Sequence, residues 1–551
     1  MMKQTDLGGK VVYQIYVKSF QDSNGDGIGD LPGLTSRLDY LAGLGVDYLW
    51  LTPIYPSPQR DNGYDVADYC AIDPVYGTME DFETLCREGE KRGIRIMLDM
   101  VFNHTSTAHT WFRRALAGEK KYQDYYIWRD GEPGTPPTNW VSKFGGNAWE
   151  YSPEVGKYYL HLFDVTQADL NWDNPDLREE LFAVLDFWAG KGVRAFRFDV
   201  VNLISKPQTL EDDHRGDGRR FYTDGPRIHE YLRMLNERGF GKYENVVTVG
   251  EMSSTSLDNC VGYTRPDRHE LSMVFSFHHL KTDYKNGDKW ALEENRFGEL
   301  KKLLTDWQLG MQAGGGWNAL FWCNHDQPRI VSRFGDEGEY RVRSAKMLAT
   351  AIHCLRGTPY IYQGEELGMT NAHFTDLAQY RDVESINYYH ILRNKGLSEE
   401  ETYRILGARS RDNGRTPMQW TAGANGGFTT GTPWLAVNPN HEEINAEAAL
   451  ADGDSVLAYY RQLVKLRKSS DLVQAGEFAP LLAEDDRVFG YTRTLNGRTM
   501  VVLCNFYGTD APVTLPEALC AGAKPVLSNI EKRELTPAMT LAPYEAGVWE
   551  V

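Results

Sequence analysis

The sequence predicts an α/β protein of the (β/α)8 barrel class, with a small domain inserted after the third strand and a C-terminal antiparallel β-domain. Strand-like apolar segments alternate with helical segments over most of the chain, a pattern typical of a parallel sheet covered by helices. The alternation stops over residues 105–170, which are rich in Trp, Tyr, Gly and Pro. From residue 475 onward the chain has strand-like runs, such as Val488–Thr492 and Thr499–Phe506, without a long helical period.

Eight segments have the apolar composition of buried strands. They are Val11–Tyr16, Val46–Leu51, Ile94–Val101, Val193–Val200, Val246–Gly250, Ser272–Phe277, Trp317–Cys323 and Pro359–Gln363. Helices are predicted at Leu34–Ala42, Met79–Arg92, Leu181–Trp188 and Pro226–Gly239. The predicted domains are residues 1–104 and 171–474 for the two parts of the barrel, 105–170 for the inserted domain and 475–551 for the C-terminal β-domain. In such a barrel the catalytic groups lie at the C-terminal ends of the strands.

Composition narrows the possible partners and the compartment. The chain has 551 residues and a net charge of −18, which disfavours nucleic acid or an anionic membrane as a partner. Its seven cysteines include no C-x-x-C pair, a usage typical of reduced thiols in the cytoplasm. Neither a signal segment nor a membrane-spanning apolar run is evident. We therefore expect a soluble cytoplasmic protein that acts on a small molecule; the oligomeric state is open, with a monomer favoured.

The fourth predicted strand carries two charged residues near its C-terminal end. Arg197 and Asp199 are two positions apart, so their side chains share one face of the strand. Burying such a pair is costly unless the residues form an ion pair or serve a function. A structural ion pair would explain this strand if it stood alone.

Other acids follow the neighbouring strands. Asp99 ends the third strand, Glu251 follows the fifth, and His325-Asp326 follows the seventh. In a barrel these side chains would converge on one mouth together with Asp199. Glycoside hydrolysis requires two carboxyl groups beside the scissile bond, one to protonate the leaving oxygen and one to attack carbon or activate water. Arg197 would favour the ionised form of the attacking carboxylate.

A loop after the first strand has the composition of a cation site. Oxygen-bearing side chains recur at alternate positions with a backbone carbonyl between them, which suits a hard cation. The predicted ligands are Asp22, Asn24, Asp26, the carbonyl oxygen of Ile28, and Asp30. The twelfth position is Gly33 instead of Glu, so the loop is not an EF-hand. We expect a structural Ca²⁺ or Mg²⁺ ion here and no cofactor for catalysis; a turn-rich loop without metal is the alternative.

Five short motifs together resemble the α-amylase superfamily. They are LDMVFNH at Leu98–His104, GVRAFRFDV at Gly192–Val200, GEM at Gly250–Met252, NHD at Asn324–Asp326 and QADLN at Gln167–Asn171. The last has the form found in oligo-1,6-glucosidases. The resemblance implies a retaining enzyme with Asp199 as nucleophile, Glu251 as general acid/base and Asp326 as a third acid that holds sugar hydroxyls.

The same resemblance implies a set of residues that shape the −1 sugar pocket. They are Asp61, Tyr64, His104, Phe163, Gln167, Arg197, His325 and Arg411. Asp61 and Arg411 would close the far end of the pocket, which implies exo-action. Val200, directly after the implied nucleophile, is typical of α-1,6-specific members. The segment Pro328–Phe334 (PRIVSRF) lacks the RLDRD run of sucrose isomerases, which disfavours an isomerase.

Two segments resemble the trehalose-6-phosphate hydrolases within that superfamily. They are Phe275–Trp290 (FSFHHLKTDYKNGDKW) and Asn202–Leu232. His278 stands where oligo-1,6-glucosidases have Glu, and Lys281 has no counterpart there. A lysine and a histidine in place of an acid could receive the phosphate of the +1 sugar. Because the net charge is −18, the attraction must act over less than a Debye length, about 8 Å at physiological salt.

Alternatives remain open at this stage. Lys281, Lys285 and Lys289 could form only a solvated face, and the phosphate could instead meet Arg219 or Arg220. The chain could be an oligo-1,6-glucosidase or dextran glucosidase acting on isomalto-oligosaccharides. A catalytically inactive amylase-like subunit is disfavoured, since all three acids are present. The preferred prediction is hydrolysis of α,α-trehalose 6-phosphate to glucose and glucose 6-phosphate in trehalose catabolism.

Overall fold

The computed structural model describes residues 2–551 and contains two compact units. The first unit comprises Met2, Trp50–Arg87 and Arg95–Ser276. The second unit comprises Lys3–Leu49, Glu88–Ile94 and Phe277–Val551. Among the described residues, no helix combines the length and the apolar character needed to cross a bilayer.

Parallel strands of the predicted barrel are present in both units. In the first unit, four strands are neighbours in the order Met273–Phe275, Val247–Glu251, Ala195–Phe198 and Arg95–Met100. In the second unit, Val12–Ile15 pairs with Thr358–Tyr362, which pairs with Ala319–Leu320. The strand Tyr48–Leu51 spans the boundary between the two ranges. All eight predicted strands therefore exist, each buried almost throughout, as expected for a parallel sheet.

The longer helices lie between these strands or follow them. Their bounds are Leu31–Ser36, Leu38–Leu44, Met79–Glu90, Pro175–Gly190, Ile228–Met234, Leu257–Thr264, Phe297–Gly314, Arg341–His353, Val383–Asn394, Glu399–Arg409 and Val456–Ser469. Three predicted helix starts differ from the structure, one of them slightly, since the helix predicted from Pro226 begins at Ile228. The helix predicted over Leu34–Ala42 begins at Leu31, because the Asp30 side chain caps it by accepting the N–H of Gly33 at 2.6 Å. It is interrupted at Arg37, so two helices, Leu31–Ser36 and Leu38–Leu44, stand where one was predicted. The helix predicted from Leu181 begins at Pro175, because Asn174 accepts the N–H of Asp176 at 2.9 Å.

The segment after the third strand forms small antiparallel sheets. His104–Ser106 pairs with Gln167–Asp169, and Lys157–Leu160 lies between Trp128–Arg129 and Trp149–Ser152. Its apolar cluster includes Trp140, Trp149 and Leu160 together with Val200 and Leu203, which follow the fourth strand. The insertion therefore packs on the chain that leaves the strand of Asp199.

The C-terminal part forms antiparallel β-structure. Five strands are neighbours in the order Glu477–Leu481, Val488–Leu495, Arg498–Asn505, Ala546–Glu550 and Lys524–Ser528. A further pair joins Ala511–Thr514 to Ala538–Leu541. Val501, Leu503 and Trp549 belong to one apolar core with residues of both sheets. The domain boundaries themselves stay a prediction.

Candidate active site

Arg197 is the centre of a carboxylate cluster in the first unit. It is 2% exposed, and its Nη1 lies 2.6 Å from Oδ1 of Asp99 and 2.6 Å from Oδ1 of Asp199. Its Nη2 hydrogen-bonds Oε2 of Glu251. The strand register produces this arrangement, since Arg197 stands opposite both Asp99 and Val249, two residues before Glu251. Side chains two positions apart share a face, so the acids of three adjacent strands meet one guanidinium.

Three carboxyl groups surround the single positive charge of the Arg197 guanidinium. Burial raises the pKa of the Asp99 carboxyl above its ordinary value, although the charge of Arg197 opposes this effect. The indole N–H of Trp50 and the hydroxyl of Tyr64 donate to Oδ2 of Asp99 at 3.1 Å and 3.0 Å. Trp50 was not predicted as a site residue. Carboxyl groups held together in this way are the functional groups that acid–base catalysis uses.

The backbone turns sharply at the residue after Asp199. Val200 has φ 33° and ψ 40°, in the left-handed region that β-branched residues rarely adopt. Such a conformation costs about 1–3 kcal/mol and persists only where surrounding packing holds it. Val200 is 6% exposed within the apolar cluster of the insertion. The insertion therefore helps to fix the direction of the chain directly beyond Asp199.

A second connected group in the first unit contains five of the predicted −1 pocket residues. Nε2 of Gln167 lies 3.1 Å from Oδ2 of Asp61 and 3.2 Å from Nε2 of His104. His104 Nε2 also lies 3.2 Å from the carbonyl oxygen of Tyr64, and its ring is 5.1 Å from that of Phe163. Tyr64 links this group to Asp99 through its hydroxyl. The eight residues predicted from this unit thus form one network of hydrogen bonds, ion pairs and ring contacts.

The second unit brings the predicted third acid, Asp326, together with the pocket residues His325 and Arg411. Oδ1 of Asp326 lies 3.3 Å from Nη1 of Arg411, and Oδ2 lies 3.3 Å from Nε2 of His325. Arg415 contributes Nη2 at 2.8 Å from Oδ1 of Asp326, and Arg411 Nη2 lies 2.6 Å from Asp382 Oδ1. Sequence reasoning missed Arg415 and Asp382. Neither residue had a local sequence signal, since like charges four residues apart, such as Arg411 and Arg415, do not favour each other.

The two predicted phosphate ligands lie on one turn of the second unit. His278–Lys281 is a single 3₁₀ turn on which Lys281 is exposed. The ring of His278 rests 4.6 Å from that of Trp307. Burial and the charge of Lys281 lower the pKa of His278 to about 4. His278 is therefore neutral at neutral pH and can offer a hydrogen bond but no charge.

The other basic candidates have acidic partners. Lys289 lies 2.6 Å from Glu384. Arg219 and Arg220 each lie 2.9 Å from an aspartate, Asp217 and Asp213 respectively. Ion pairing reduces the charge that these three residues can offer to a phosphate.

The predicted cation loop is folded by its own side-chain oxygens. Asp22 accepts the N–H groups of residues 24, 25 and 27 at 2.8–2.9 Å. Asn24 accepts the N–H of Asp26, and Asp26 accepts that of Ile28, both at 2.8 Å. No group of three or more His, Cys, Asp or Glu side chains is close enough to hold a metal within residues 2–551. The donors are of the oxygen type that Ca²⁺ and Mg²⁺ prefer, but the acidic side chains do not converge as a ligand set here, so the ion stays a prediction.

Comparisons with known proteins agree with this geometry. The model of the α-amylase catalytic domain matches residues 14–476. The chain belongs to the α-amylase family. It is 57% identical to the trehalose-6-phosphate hydrolase of Bacillus subtilis, covering 98% of this chain and 97% of that protein. It is 48% identical to an oligo-1,6-glucosidase of Halalkalibacterium halodurans, with 98% of each chain covered.

A solved α-amylase family structure is also similar. A mutant trehalose-6-phosphate hydrolase of Bacillus licheniformis, in complex with PNG, has a TM-score of 0.96 and 54% identity, with 99% of each chain covered. The predicted family and the (β/α)8 barrel class, with its insertion and C-terminal β-domain, are thereby confirmed.

Proposed function

We propose that the chain is a glycosidase that hydrolyses α,α-trehalose 6-phosphate to glucose and glucose 6-phosphate. The observation that carries the proposal is full-length identity of 57% to a trehalose-6-phosphate hydrolase, against 48% to an oligo-1,6-glucosidase. The acids Asp199 and Glu251, which share the guanidinium of Arg197, supply the required functional groups.

The proposed reaction is a double displacement with retention. Asp199 attacks the anomeric carbon while Glu251 gives a proton to the leaving oxygen, and Glu251 then takes a proton from the attacking water. Arg197 stabilises the negative charge of Asp199 before the attack. Retention requires a carboxyl separation of about 5–5.5 Å, whereas inversion requires about 6.5–9.5 Å. The assignment of Asp326 to sugar hydroxyls stays a prediction from the resemblance.

A side-by-side assay on trehalose 6-phosphate, trehalose and isomaltose tests the proposed function. We expect the phosphorylated disaccharide to have the highest kcat/KM and to release equal amounts of glucose and glucose 6-phosphate. A preference for isomaltose would instead identify an oligo-1,6-glucosidase, the second candidate that the relatives include.

Lys281 is proposed to bind the phosphate, with His278 as a neutral hydrogen-bond donor. A charge-assisted hydrogen bond is worth about 1.5–3 kcal/mol. Lys281→Ala is therefore expected to lower kcat/KM for trehalose 6-phosphate by about 10–150-fold. An uncharged aryl α-glucoside has no phosphate, so its kcat/KM should be unchanged.

Lys285→Ala is the matched control, since Lys285 is an exposed lysine on the same segment. It should leave both substrates unaffected. Equal losses on both substrates for Lys281→Ala would show that Lys281 supports the structure. No loss on either would move the phosphate contact elsewhere, with Arg219 and Arg220 as the next candidates.

A structural Ca²⁺ or Mg²⁺ ion in the loop of residues 22–30 is also part of the proposal. Asp22, Asn24, Asp26, the Ile28 carbonyl and Asp30 would hold it. Removing the ion with a chelator should lower the melting temperature while the initial rate at 25 °C changes little, because no proposed catalytic acid belongs to the loop. Re-addition of Ca²⁺ should restore the melting temperature. Lost activity at an unchanged melting temperature would contradict a structural role.

We further propose that the protein acts in the cytoplasm, as a monomer on a small molecule, without nucleic-acid or membrane partners. Its cysteines, all within the described residues, form no disulfide bond, which suits a reducing compartment. Light scattering coupled to gel filtration would test the monomer, for which 62.7 kDa is expected.

A further inference from the structure

Asp283 is a buried carboxylate of the second unit that contacts two arginines. Its side chain is 5% exposed, and Nε and Nη2 of Arg333 lie 2.7 Å from Oδ2 and Oδ1. Arg409 donates from Nη1 to Oδ2 and from Nη2 to the backbone oxygen of Asp283, the latter at 2.5 Å. The two arginine side chains are 3% and 4% exposed. We call these three residues the Asp283 cluster.

The Asp283 cluster joins three segments that carry predicted site residues. Asp283 lies two residues after Lys281, the last residue of the His278–Lys281 turn. Nη2 of Arg333 also donates to the backbone oxygen of Leu280 within that turn. Nη1 of Arg333 donates to the side-chain oxygen of Gln327, the residue after Asp326, at 2.8 Å. Arg409 precedes Arg411 by two residues. One carboxylate thus connects the turn, the Asp326 loop and the segment of Arg411.

Charge and burial make this connection rigid. Burial opposes ionisation of Asp283, but the hydrogen bonds and charges of Arg333 and Arg409 outweigh it and hold the pKa of the carboxyl below its ordinary value. The ring of Tyr284 lies 5.5 Å from the Arg333 guanidinium carbon and 5.2 Å from that of Arg409. Loss of the single carboxylate would leave two buried guanidinium charges without compensation. The bidentate contact of Arg333 with Asp283 also fixes the relative orientation of the two side chains. The His278–Lys281 turn therefore has little freedom to move.

We infer that Arg333, Asp283 and Arg409 are positioning residues that determine recognition of the substrate phosphate by holding the His278–Lys281 turn in place. The inference rests on the proposed function, because it concerns how the phosphorylated substrate is selected. None of the three needs to touch the substrate. Their loss should weaken binding of the phosphorylated sugar through displacement of Lys281, while Asp199 and Glu251 still perform the chemical step.

The test variant is Arg409→Gln, since it leaves Arg333 and Asp283 as a balanced pair. We expect KM for trehalose 6-phosphate to rise about 10-fold or more, with kcat changed less than about twofold. Inhibition by glucose 6-phosphate should weaken by the same factor as KM. The kcat/KM for an uncharged aryl α-glucoside should stay within about twofold of the unmodified protein.

Arg404→Gln is the matched control. Arg404 and Arg409 both line one surface groove of the second unit. Arg404, however, pairs with Glu401 at 2.6 Å on the exposed side of its helix. This variant should behave like the unmodified protein on both substrates. If Arg409→Gln does not fold, Arg333→Lys is the second test variant. It keeps the positive charge but loses the bidentate contact with Asp283, and it should raise KM in the same way.

Two results would overturn the inference. One is an equal loss on the phosphorylated and uncharged substrates, which would indicate a purely structural cluster. The other is an unchanged KM in both variants. An unmodified protein that does not cleave trehalose 6-phosphate would instead reject the proposed function, so the two failures are distinguishable.

Discussion

Asp199→Asn is expected to lower kcat for trehalose 6-phosphate by at least about 10⁴-fold, the scale seen when a covalent nucleophile is removed. An amide cannot form the glycosyl ester, so an uncharged aryl α-glucoside should lose activity by the same factor. The leaving group does not matter when the attack itself is lost. Steady-state rates on both substrates provide the measurement.

The fold should survive this substitution. Asn has nearly the volume of Asp, and Arg197 would keep its ion pairs with Asp99 and Glu251. The buried guanidinium is thus never left without a carboxylate. Circular dichroism should be unchanged, and the melting temperature should shift by only a few degrees. Asp258→Asn, a substitution at an exposed aspartate, serves as the control and should be fully active. Turnover by Asp199→Asn within tenfold of the unmodified protein would remove Asp199 from the role of nucleophile.

Glu251→Gln is expected to have a loss that depends on the leaving group. Leaving-group protonation typically contributes about 10²–10⁴-fold, so the rate on trehalose 6-phosphate should fall by that factor. An aryl glucoside whose phenol is acidic needs no proton to depart. Its first step should remain fast, while hydrolysis of the glycosyl-enzyme slows because the base is also lost.

Rapid mixing with the aryl glucoside measures this difference. Glu251→Gln should release a burst of about one phenolate per active site, followed by slow turnover. Arg197 retains Asp99 and Asp199 as partners, so the variant should fold. The exposed Glu244, just before the same strand, supplies the control Glu244→Gln, which should show normal turnover. Equal losses on both substrates without a burst would exclude Glu251 as the acid.

Some features of the fold could be read from the sequence because they are local. Apolar runs bounded by polar segments identified all eight parallel strands, since strands buried on both faces are mostly apolar. The two-residue periodicity placed Arg197 and Asp199 on one face, and both do contact each other. Helix starts were predicted less well, because Asp30 and Asn174 act as caps through single hydrogen bonds that an apolar pattern does not reveal.

The sequence by itself determined the family. It also placed the acids at strand ends and predicted the segment proposed to bind the substrate phosphate, because motifs and strand ends are contiguous in the chain. Tertiary structure decided which charges meet. Arg197 shares three carboxylates because the register of adjacent strands brings together residues 98 and 54 positions away. Asp283 meets Arg409 across 126 residues, and Arg411 meets Asp382 across 29. Such contacts depend on how distant segments pack against each other. An unpaired charge in the interior is too costly to keep, so each of these buried charges requires its partner.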